Sequence, residues 1–265
     1  MEPAVADRSA AWELLSSAAG ARGAALRAPA PLVAGRCRTC FGPARPGRAR
    51  CFQCGLHAEC APGLLASVVV PVAYAAKGGP HARSLWLYKS GQEGAGAART
   101  ALTVLLLTFL REHGPCVWRA AGWAARGESG PSGPTHLAVV PSSRGRSGPH
   151  PLKVLVEPYL RLPWASLAAR PDAAGDTRDL DPGRFAAERL DGGRVLLLDD
   201  TWTTGASVQS ANMALRQAGA RAVAVVVLGR HLAQPWPDQA GLTTAAFTPR
   251  LCALHGPAAG TRPDA

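Results

Sequence analysis

Two adjacent carboxylates stand at the end of an apolar run in the C-terminal half of the chain. Residues 195–198 are all apolar, Asp199 and Asp200 follow, and the sequence TWTTGAS occupies positions 201–207. A short apolar run of this kind is typical of a central strand buried on both faces of a parallel sheet. Ligands of open α/β sheets bind beyond the carboxyl ends of the strands. The sequence therefore predicts a ligand site at the acidic pair.

The turn at 201–207 has the residue types of a phosphate cradle. Backbone N–H groups at the start of a helix bind anions, and Gly205 lets the backbone approach a ligand closely. Thr203, Thr204 and Ser207 add hydroxyl donors, and Ser207 is also the predicted N-cap of the next helix. Because the two acids suit sugar hydroxyls and Mg²⁺, the whole stretch predicts a site for a ribose 5-phosphate. The alternative is a solvated acidic turn that only caps a helix.

A different chemistry is indicated near the N-terminus by two C-x2-C pairs that are separated by ten residues. The pairs are Cys37 with Cys40 and Cys51 with Cys54. Two such turns present four thiolates to one ion, which is the ligand set of a structural Zn²⁺ site. The metal would supply folding energy that this Gly-, Pro- and Arg-rich segment cannot. His57 and Cys60 are spare ligands, and a redox pair or unligated cysteines are the alternative.

The elements that position these two sites follow a strand–helix alternation that begins near residue 67. Apolar or β-branched runs at 67–74, 136–143, 194–200 and 222–229 predict strands, and 96–112, 207–220 and a segment from about 151 predict helices. Strand, loop, helix and strand around the acidic pair form a βαβ unit, so we expect an α/β fold with a mostly parallel sheet flanked by helices. The predicted divisions are an Ala-rich lead-in (1–35), a zinc knuckle (36–62), the α/β domain (63–232) and an irregular tail (233–265).

Composition and charge restrict the class of protein. Hydrophobic residues make up 47% and charged residues 18% of the 265 positions, which is typical of a globular protein. The longest apolar run, residues 101–110, is about half as long as a membrane-spanning helix, and the N-terminus has no secretory pattern. We therefore expect a cytoplasmic protein with no membrane insertion. Its net charge of +11, almost all from arginine, favours phosphate-bearing partners.

The stretch VLLLDDTWTTGAS at 195–207 resembles the phosphoribosyl-pyrophosphate (PRPP) motif of type I phosphoribosyltransferases. The four-cysteine knuckle ahead of it narrows the resemblance to the ComF family, the competence-associated phosphoribosyltransferase-like proteins. Tyr74 with Lys89 and Gly91, and VVPSSRGRSG at 139–148, are similar to further segments of that family, although Lys89 alone is also typical of a solvated helix. The resemblance covers about residues 30–230 and implies a type I phosphoribosyltransferase-like fold.

The resemblance also implies roles for individual residues. Asp199 and Asp200 would be the catalytic acids that hold the ribose hydroxyls of Mg-PRPP. The implied PRPP-binding residues are Thr201, Thr203, Thr204, Gly205, Ala206 and Ser207 in the acidic motif, and Ser142, Ser143, Arg144 and Arg146 near the pyrophosphate. The sequence departs from the family in three places, the first of which is Trp202 in place of the usual aliphatic residue. Thr203 stands where purine-salvage enzymes often carry an aspartate base, and RSGPHP replaces the usual R-G-x-N pattern.

Two functions are consistent with these observations. The first is an enzyme that transfers the phosphoribosyl group of Mg-PRPP to an unidentified nitrogen acceptor and releases pyrophosphate. The second is a non-catalytic ComF-type adaptor in DNA uptake or processing, which binds single-stranded DNA through five arginines between positions 36 and 50. Aromatic residues are only 6% of the chain, which speaks against a base-stacking platform. The expected cofactors are a structural Zn²⁺ and the Mg²⁺ that accompanies PRPP, and oligomerisation is left open.

Overall fold

The structure, a computed structural model, describes residues 26–29, 35–123, 132–142, 148–171, 178–233, 247 and 251–254. Ser143, Arg144 and Arg146, three of the predicted pyrophosphate contacts, lie outside these residues, as does most of the predicted lead-in and tail. The strands of the described part are β1 (Val68–Ala76), β2 (His136–Val139), β3 (Leu167–Ala169), β4 (Phe185–Ala187), β5 (Arg194–Trp202) and β6 (Ala222–Leu232). Its helices are α1 (Phe52–Cys60), α2 (Pro80–Leu87), α3 (Ala95–Ala120), α4 (Pro151–Val156) and α5 (Ala206–Gln217).

A four-stranded parallel sheet with the strand order β1-β6-β5-β2 forms the centre of the described fold. β5 pairs with β6 from Arg194 opposite Ala222 to Trp202 opposite Arg230, and β6 pairs in turn with β1. α5 connects β5 to its neighbour β6, which makes the βαβ unit predicted around the acidic pair. The α/β class and the mostly parallel sheet with flanking helices are therefore confirmed.

Alternating side chains of β5 and β6 build two cores, one on each face of the sheet. Leu196 and Leu198 of β5 belong to a core with residues of α2, α3 and α4. Val195 and Leu197 belong to a second core, which contains residues of α5 and three of the four knuckle cysteines. Successive residues of a strand point to opposite faces, and burial of both faces explains why the run is apolar at every position.

α3 is longer than the 96–112 segment that the sequence indicated. The helix continues through Gly114 and Pro115 as far as Ala120. Val117 is fully buried, and the rings of Trp118 and Trp123 stack with their centroids 5.2 Å apart. This packing offsets the helical hydrogen bond that Pro115 cannot donate. None of the helices in the described ranges, α3 included, has the length and apolar character needed to cross a membrane.

A small antiparallel pair, β3 with β4, lies apart from the central sheet and packs against α5. The hydroxyl oxygen of Ser210 on α5 accepts a hydrogen bond from the Asp181 N–H at 2.9 Å. Two other buried polar residues of α5 hold the segment that joins the knuckle to β1: Gln209 accepts from the Ala66 N–H at 2.9 Å, and Asn212 donates to the Leu64 carbonyl at 2.7 Å. These bonds fix α5 on the sheet and with it the turn that precedes the helix.

Candidate functional site

The carboxyl ends of the four central strands meet at one edge of the sheet. Asp199 lies opposite Val227 of β6, and Trp202 lies opposite Arg230. On the other side of β6, Arg230 is opposite Tyr74 of β1. The acidic pair, the turn that follows it and the last residues of β1 and β6 therefore share this edge, as expected for a ligand site of an open α/β sheet.

Asp200 is the centre of a buried polar network. The residue is 4% exposed, and its Oδ2 atom lies 2.5 Å from Nζ of Lys89. The hydroxyl of Tyr88 donates to the same oxygen, also at 2.5 Å. Burying a carboxylate without a partner is costly, so the lysine and the tyrosine stabilise the charge of Asp200. The structure thus gives Lys89 an ion pair at this edge, not the solvated helical position that its sequence context also allowed.

The short segment that carries Lys89 is held in place by an arginine of α3. Nε of Arg99 donates to the Tyr88 carbonyl and Nη2 donates to the Ser90 carbonyl, both at 3.0 Å. The Ser90 hydroxyl donates to the Leu87 carbonyl at 2.8 Å. Because Lys89 lies between the two carbonyls that Arg99 binds, α3 sets the position of the ammonium group beside the acidic pair.

Asp199 has a less favourable environment than its neighbour. Burial of its carboxyl group, followed by repulsion from Asp200, raises the pKa of Asp199 well above its usual range, and the charge of Lys89 opposes this only in part. Its Oδ1 atom accepts a hydrogen bond from the Asp200 N–H at 2.9 Å. Among the residues that the structure describes, the pair is therefore short of positive charge, a condition that a cation or a hydroxyl donor from a ligand would relieve.

The turn after the acids is built around a glycine and a tryptophan. Gly205 has a φ of +84° and is the N-cap of α5, so the prediction that Ser207 caps the helix was wrong. A Cβ placed on Gly205 would overlap the buried indole of Trp202, and the overlap is with the edge next to Nε1. That Nε1 has no hydrogen-bond partner among the described residues. No side chain in the described part of the chain caps α5, while the Ala206 N–H donates to the Thr204 hydroxyl at 3.3 Å.

Arg230 joins the turn to the knuckle. It is 6% exposed, and its Nη1 donates to the carbonyls of Trp202 and Thr203 at 3.3 and 3.2 Å. On its other side the guanidinium packs so closely on Gly42 that an added Cβ would lie 2.7 Å from Nη2. The hydroxyl of Tyr74 donates to the Phe41 carbonyl at 2.7 Å. Both Arg230 and Tyr74 therefore fix the knuckle turn at 41–42 against the carboxyl edge of the sheet, which is called the ligand edge below.

The four predicted metal ligands come together in the knuckle. The Sγ atoms of Cys37, Cys40, Cys51 and Cys54 all lie within 4.8 Å of one another. Three of the four cysteines are buried, and Sγ of Cys40 is 3.9 Å from Sγ of Cys51. Hydrogen bonds with Cys37 and the other two thiols, together with burial, raise the pKa of Cys54. Four convergent sulfurs at this spacing fit a tetrahedral metal such as Zn²⁺, which would relieve the crowding by binding them as thiolates.

The spare ligands are not needed for this centre. Nε2 of His57 lies 3.0 Å from the side-chain nitrogen of Gln53, within hydrogen-bond distance. Cys60 is exposed at the end of α1 and is not part of the four-sulfur group. The prediction of the four ligands from C-x2-C spacing alone therefore agrees with the geometry, and a metal would tie the turn at 37–40 to the start of α1.

The remaining predicted residues are partly accounted for. Thr201, Thr204 and Ser207 are partly exposed, Thr203 is exposed, and Ala206 is buried in the first turn of α5. Ser142 follows β2 at the ligand edge, since the Val140 N–H bonds to the Leu198 carbonyl at 3.0 Å. Tyr88, Arg99 and Arg230 were missed. The tyrosine next to Lys89 was a usable signal, whereas nothing local in the sequence marks the two arginines.

Comparison of the sequence with protein-family models and with curated proteins finds no match. The functional assignment of this chain therefore rests on the geometry of the edge, the acidic pair and the knuckle.

Proposed function

We propose that the chain binds Mg-PRPP at the carboxyl edge of the sheet, as in ComF-type phosphoribosyltransferase-like proteins. It would transfer the phosphoribosyl group to an unidentified nitrogen acceptor with release of pyrophosphate. The observation that carries the proposal is the acidic pair Asp199–Asp200, with Lys89 bound to one acid, directly ahead of the glycine turn at 203–207. A solvated acidic turn would not bury Asp200 or bring a lysine from a distant segment to it.

The donors present fit a ribose 5-phosphate with Mg²⁺. Asp199 and Asp200 would accept hydrogen bonds from the vicinal ribose hydroxyls. The hydroxyls of Thr203 and Thr204, with the backbone N–H groups of the first turn of α5, would bind the 5-phosphate. Mg²⁺, when bound, would offset charge on the pyrophosphate.

The chemistry that this arrangement supports is a displacement at the anomeric carbon. A nitrogen lone pair of the acceptor forms the new C–N bond, the C–O bond to pyrophosphate breaks, and the acceptor loses a proton to solvent or to a base. Positive charge develops on the ribose ring in glycosyl transfer, and the carboxylates at 199 and 200 would stabilise it. Lys89 would reduce repulsion between the acidic pair and the phosphates by keeping Asp200 paired.

Calorimetry with PRPP and Mg²⁺ tests the binding step directly. The metal-loaded protein should bind PRPP, and Asp199→Asn/Asp200→Asn should lose the binding while its circular dichroism stays that of the parent. Asp191→Asn, a change of an exposed acid that pairs with Arg189 on the surface, is the matched control and should bind normally. Equal binding by the double variant would exclude the acidic pair as the site. Pyrophosphate release in an acceptor screen then tests the transfer itself.

A second candidate function, single-stranded DNA binding, is favoured by one surface of the knuckle. Of the five predicted arginines, Arg36 is half-buried and the other four, Arg38, Arg45, Arg48 and Arg50, are exposed. Phe52, the first residue of α1, follows them in the chain and is 84% exposed. Exposed arginines neutralise phosphates, and an exposed aromatic ring stacks on bases. Phe52 supplies such a ring on this surface, although aromatic residues are few in the chain as a whole. Affinity for an oligonucleotide should fall steeply with salt and should drop further in Phe52→Ser. Full affinity after all four arginines are changed to serine would exclude this surface.

A further inference from the structure

We propose a second metal site, formed by His113 and Cys116 of α3 and by Cys252 of the C-terminal segment. One ligand atom from each of the three lies within 4.8 Å of the others. None of them belongs to the knuckle or to the ligand edge, so the inference is independent of the proposed function. The ligand class is a divalent, borderline-soft ion, and Zn²⁺ fits it best.

The helix presents two of the ligands on one face. His113 and Cys116 are three residues apart on α3, a spacing that places side chains next to each other on a helix surface. His113 is 4% exposed, and its ring contacts Phe109 with the centroids 5.3 Å apart. The ring is therefore fixed among apolar neighbours with the cysteine beside it, which is the arrangement that an ordered ligand needs.

The third ligand, Cys252, comes from the segment at 251–254, which lies outside the alternating strands and helices of the α/β fold. Residues 251–254 pack on the first core, and both Cys252 and Ala253 are buried there with side chains of α3 such as Leu102 and Phe109. A buried cysteine alone is usually a packing residue. Here a second cysteine and a histidine reach the same point from another element, which packing alone does not require.

Charge also favours a metal at this position. Two thiolates and one neutral imidazole balance the charge of a divalent ion, so the complete centre would be neutral and could be buried in an apolar core at little cost. In a tetrahedral shell, ligand atoms are separated by about 3.5–3.8 Å, from Zn–S bonds of about 2.3 Å and Zn–N bonds of about 2.0 Å. The three atoms here need only a small inward movement, and a fourth position stays open for water or a further ligand.

Metal stoichiometry tests the site. Protein purified under reducing conditions and reloaded with Zn²⁺ or Co²⁺ should bind two equivalents. Cys252→Ser and Cys116→Ser should each bind one, and so should Cys37→Ser/Cys40→Ser. Cys60→Ser changes an exposed cysteine of neither group and should still bind two. With Co²⁺, the thiolate-to-metal absorption of Cys252→Ser should fall to that of a four-thiolate centre.

Two results would overturn the proposal. The first is a single equivalent in the wild type that Cys37→Ser/Cys40→Ser abolishes and Cys252→Ser leaves unchanged. The second is a Cys116–Cys252 disulfide that persists in protein purified under reducing conditions and exposed to the metal. A count of one equivalent in the wild type already contradicts the two that the proposal expects, so the test stands even if a variant does not fold. As a further readout, a chelator should speed proteolysis near residue 252 in Cys37→Ser/Cys40→Ser, whose knuckle cannot hold the metal, and a purely packed segment would not show this.

Discussion

At the scale of single residues, the carboxyl edge is organised by an imbalance of charge. Two acids stand side by side, and one ammonium group, that of Lys89, is paired with Asp200. Burial, followed by repulsion from Asp200, raises the pKa of Asp199, and the edge would gain from a ligand that donates hydrogen bonds or brings a cation. Binding sites often lower the stability of the free protein. Removing the charge of Lys89 should therefore lower the free energy of unfolding, because Asp200 loses its partner, whereas removing the charge of Asp199 should raise it.

Loss of the Lys89 charge should destabilise the protein. Lys89→Met leaves Asp200 buried without its cation and should lower the free energy of unfolding by about 2 kcal/mol, less than for a fully buried pair because the lysine side chain is 32% exposed. In Lys89→Met/Asp200→Asn most of the loss should be recovered, since no unpaired charge remains. Urea unfolding at pH 7 measures both. Lys153→Met removes a surface pair with Glu157 and should change stability by about 0.5 kcal/mol or less.

At Asp199, binding and stability should change in opposite directions. Because the pKa of Asp199 is raised in the folded protein, the unfolded chain loses this proton at a lower pH than the folded protein does. The free energy of unfolding therefore falls as pH rises above about 4. Asp199→Asn should therefore raise the free energy of unfolding at pH 7, by about 1 kcal/mol, and abolish PRPP binding. The gain should shrink toward pH 4. A destabilised variant at pH 7 would show instead that the carboxylate is compensated in the free protein.

At the scale of elements, the sequence predicted what depends on neighbouring residues and missed what depends on distant ones. The strand at 194–202, the turn and α5 follow one another in the chain, and the C-x2-C spacing fixes its own turns, so all were recognised. Tyr88 and Asp200 are separated by 112 positions and Arg230 contacts Gly42, and no local pattern marks such pairs. The N-cap was misassigned because Gly205 is needed next to Trp202, which overrides the usual preference for serine.

The turn itself should be intolerant of a side chain at Gly205. Gly205→Ala adds a methyl group at a φ of +84° and against the Trp202 ring, so we expect a loss of about 3 kcal/mol from backbone strain and overpacking together. Gly94 is a matched control. It is also a helix N-cap, with a φ of +83°, but no described atom lies within 4 Å of a Cβ placed there. Gly94→Ala should lose only about 1 kcal/mol in the same urea experiment.

If Gly205→Ala proved no more destabilising than Gly94→Ala, the close packing of the turn on the indole would be unimportant. A partial rescue in Gly205→Ala/Trp202→Leu, where the ring is absent, would support the packing argument. PRPP affinity of the same set reports whether the backbone of the turn also contacts the phosphate.

The contact between α2 and the sheet should be sensitive to pH. Nε2–H of His81 donates to the Leu228 carbonyl at 3.1 Å, and burial lowers the pKa of His81 to about 4. The unfolded chain binds a proton at this residue below about pH 6.5. The contribution of His81 to the free energy of unfolding is therefore fully present above that pH and is lost as pH falls toward 4. Between pH 7 and pH 5 the loss should be about 2 kcal/mol. The difference between the wild type and His81→Gln isolates it, because glutamine keeps a donor and does not titrate; an equal pH slope in both proteins would contradict the assignment.

At the scale of the whole molecule, the knuckle is part of the same structure as the α/β domain. Its cysteines lie in the core that α5 and β5 share, and its turn at 41–42 touches Tyr74 and Arg230 at the ligand edge. A tetrathiolate centre with Zn²⁺ would carry two negative charges in excess, and the guanidinium of Arg230 interacts with Cys40, where it would balance part of them. The same guanidinium binds the carbonyls of Trp202 and Thr203. The four-sulfur group and the turn at 203–207 are therefore linked through one buried side chain.

Removal of the knuckle metal should consequently weaken PRPP binding. A zinc-selective chelator that leaves Mg²⁺ in solution would remove the anionic metal centre beside Arg230 and so loosen the turn at 203–207. We expect the affinity for PRPP to fall about tenfold, which corresponds to about 1.4 kcal/mol. Arg230→Gln should show this weaker affinity with the metal still bound, and should lose little more on chelation, since the link is already cut. Arg221→Gln, a change of an exposed arginine, should behave as the wild type.

Cys252→Ser, in which only the knuckle site would remain, shows which metal is responsible. If it responds to the chelator as the wild type does, the effect belongs to the knuckle. An unchanged PRPP affinity after chelation, in protein whose circular dichroism is intact, would mean that the metal serves the folding of the knuckle alone. Arg230 would then be a packing residue that fills the space between two parts of one fold. A protein that binds no PRPP in any state would instead count against the proposed function, because the coupling is measured only where binding exists.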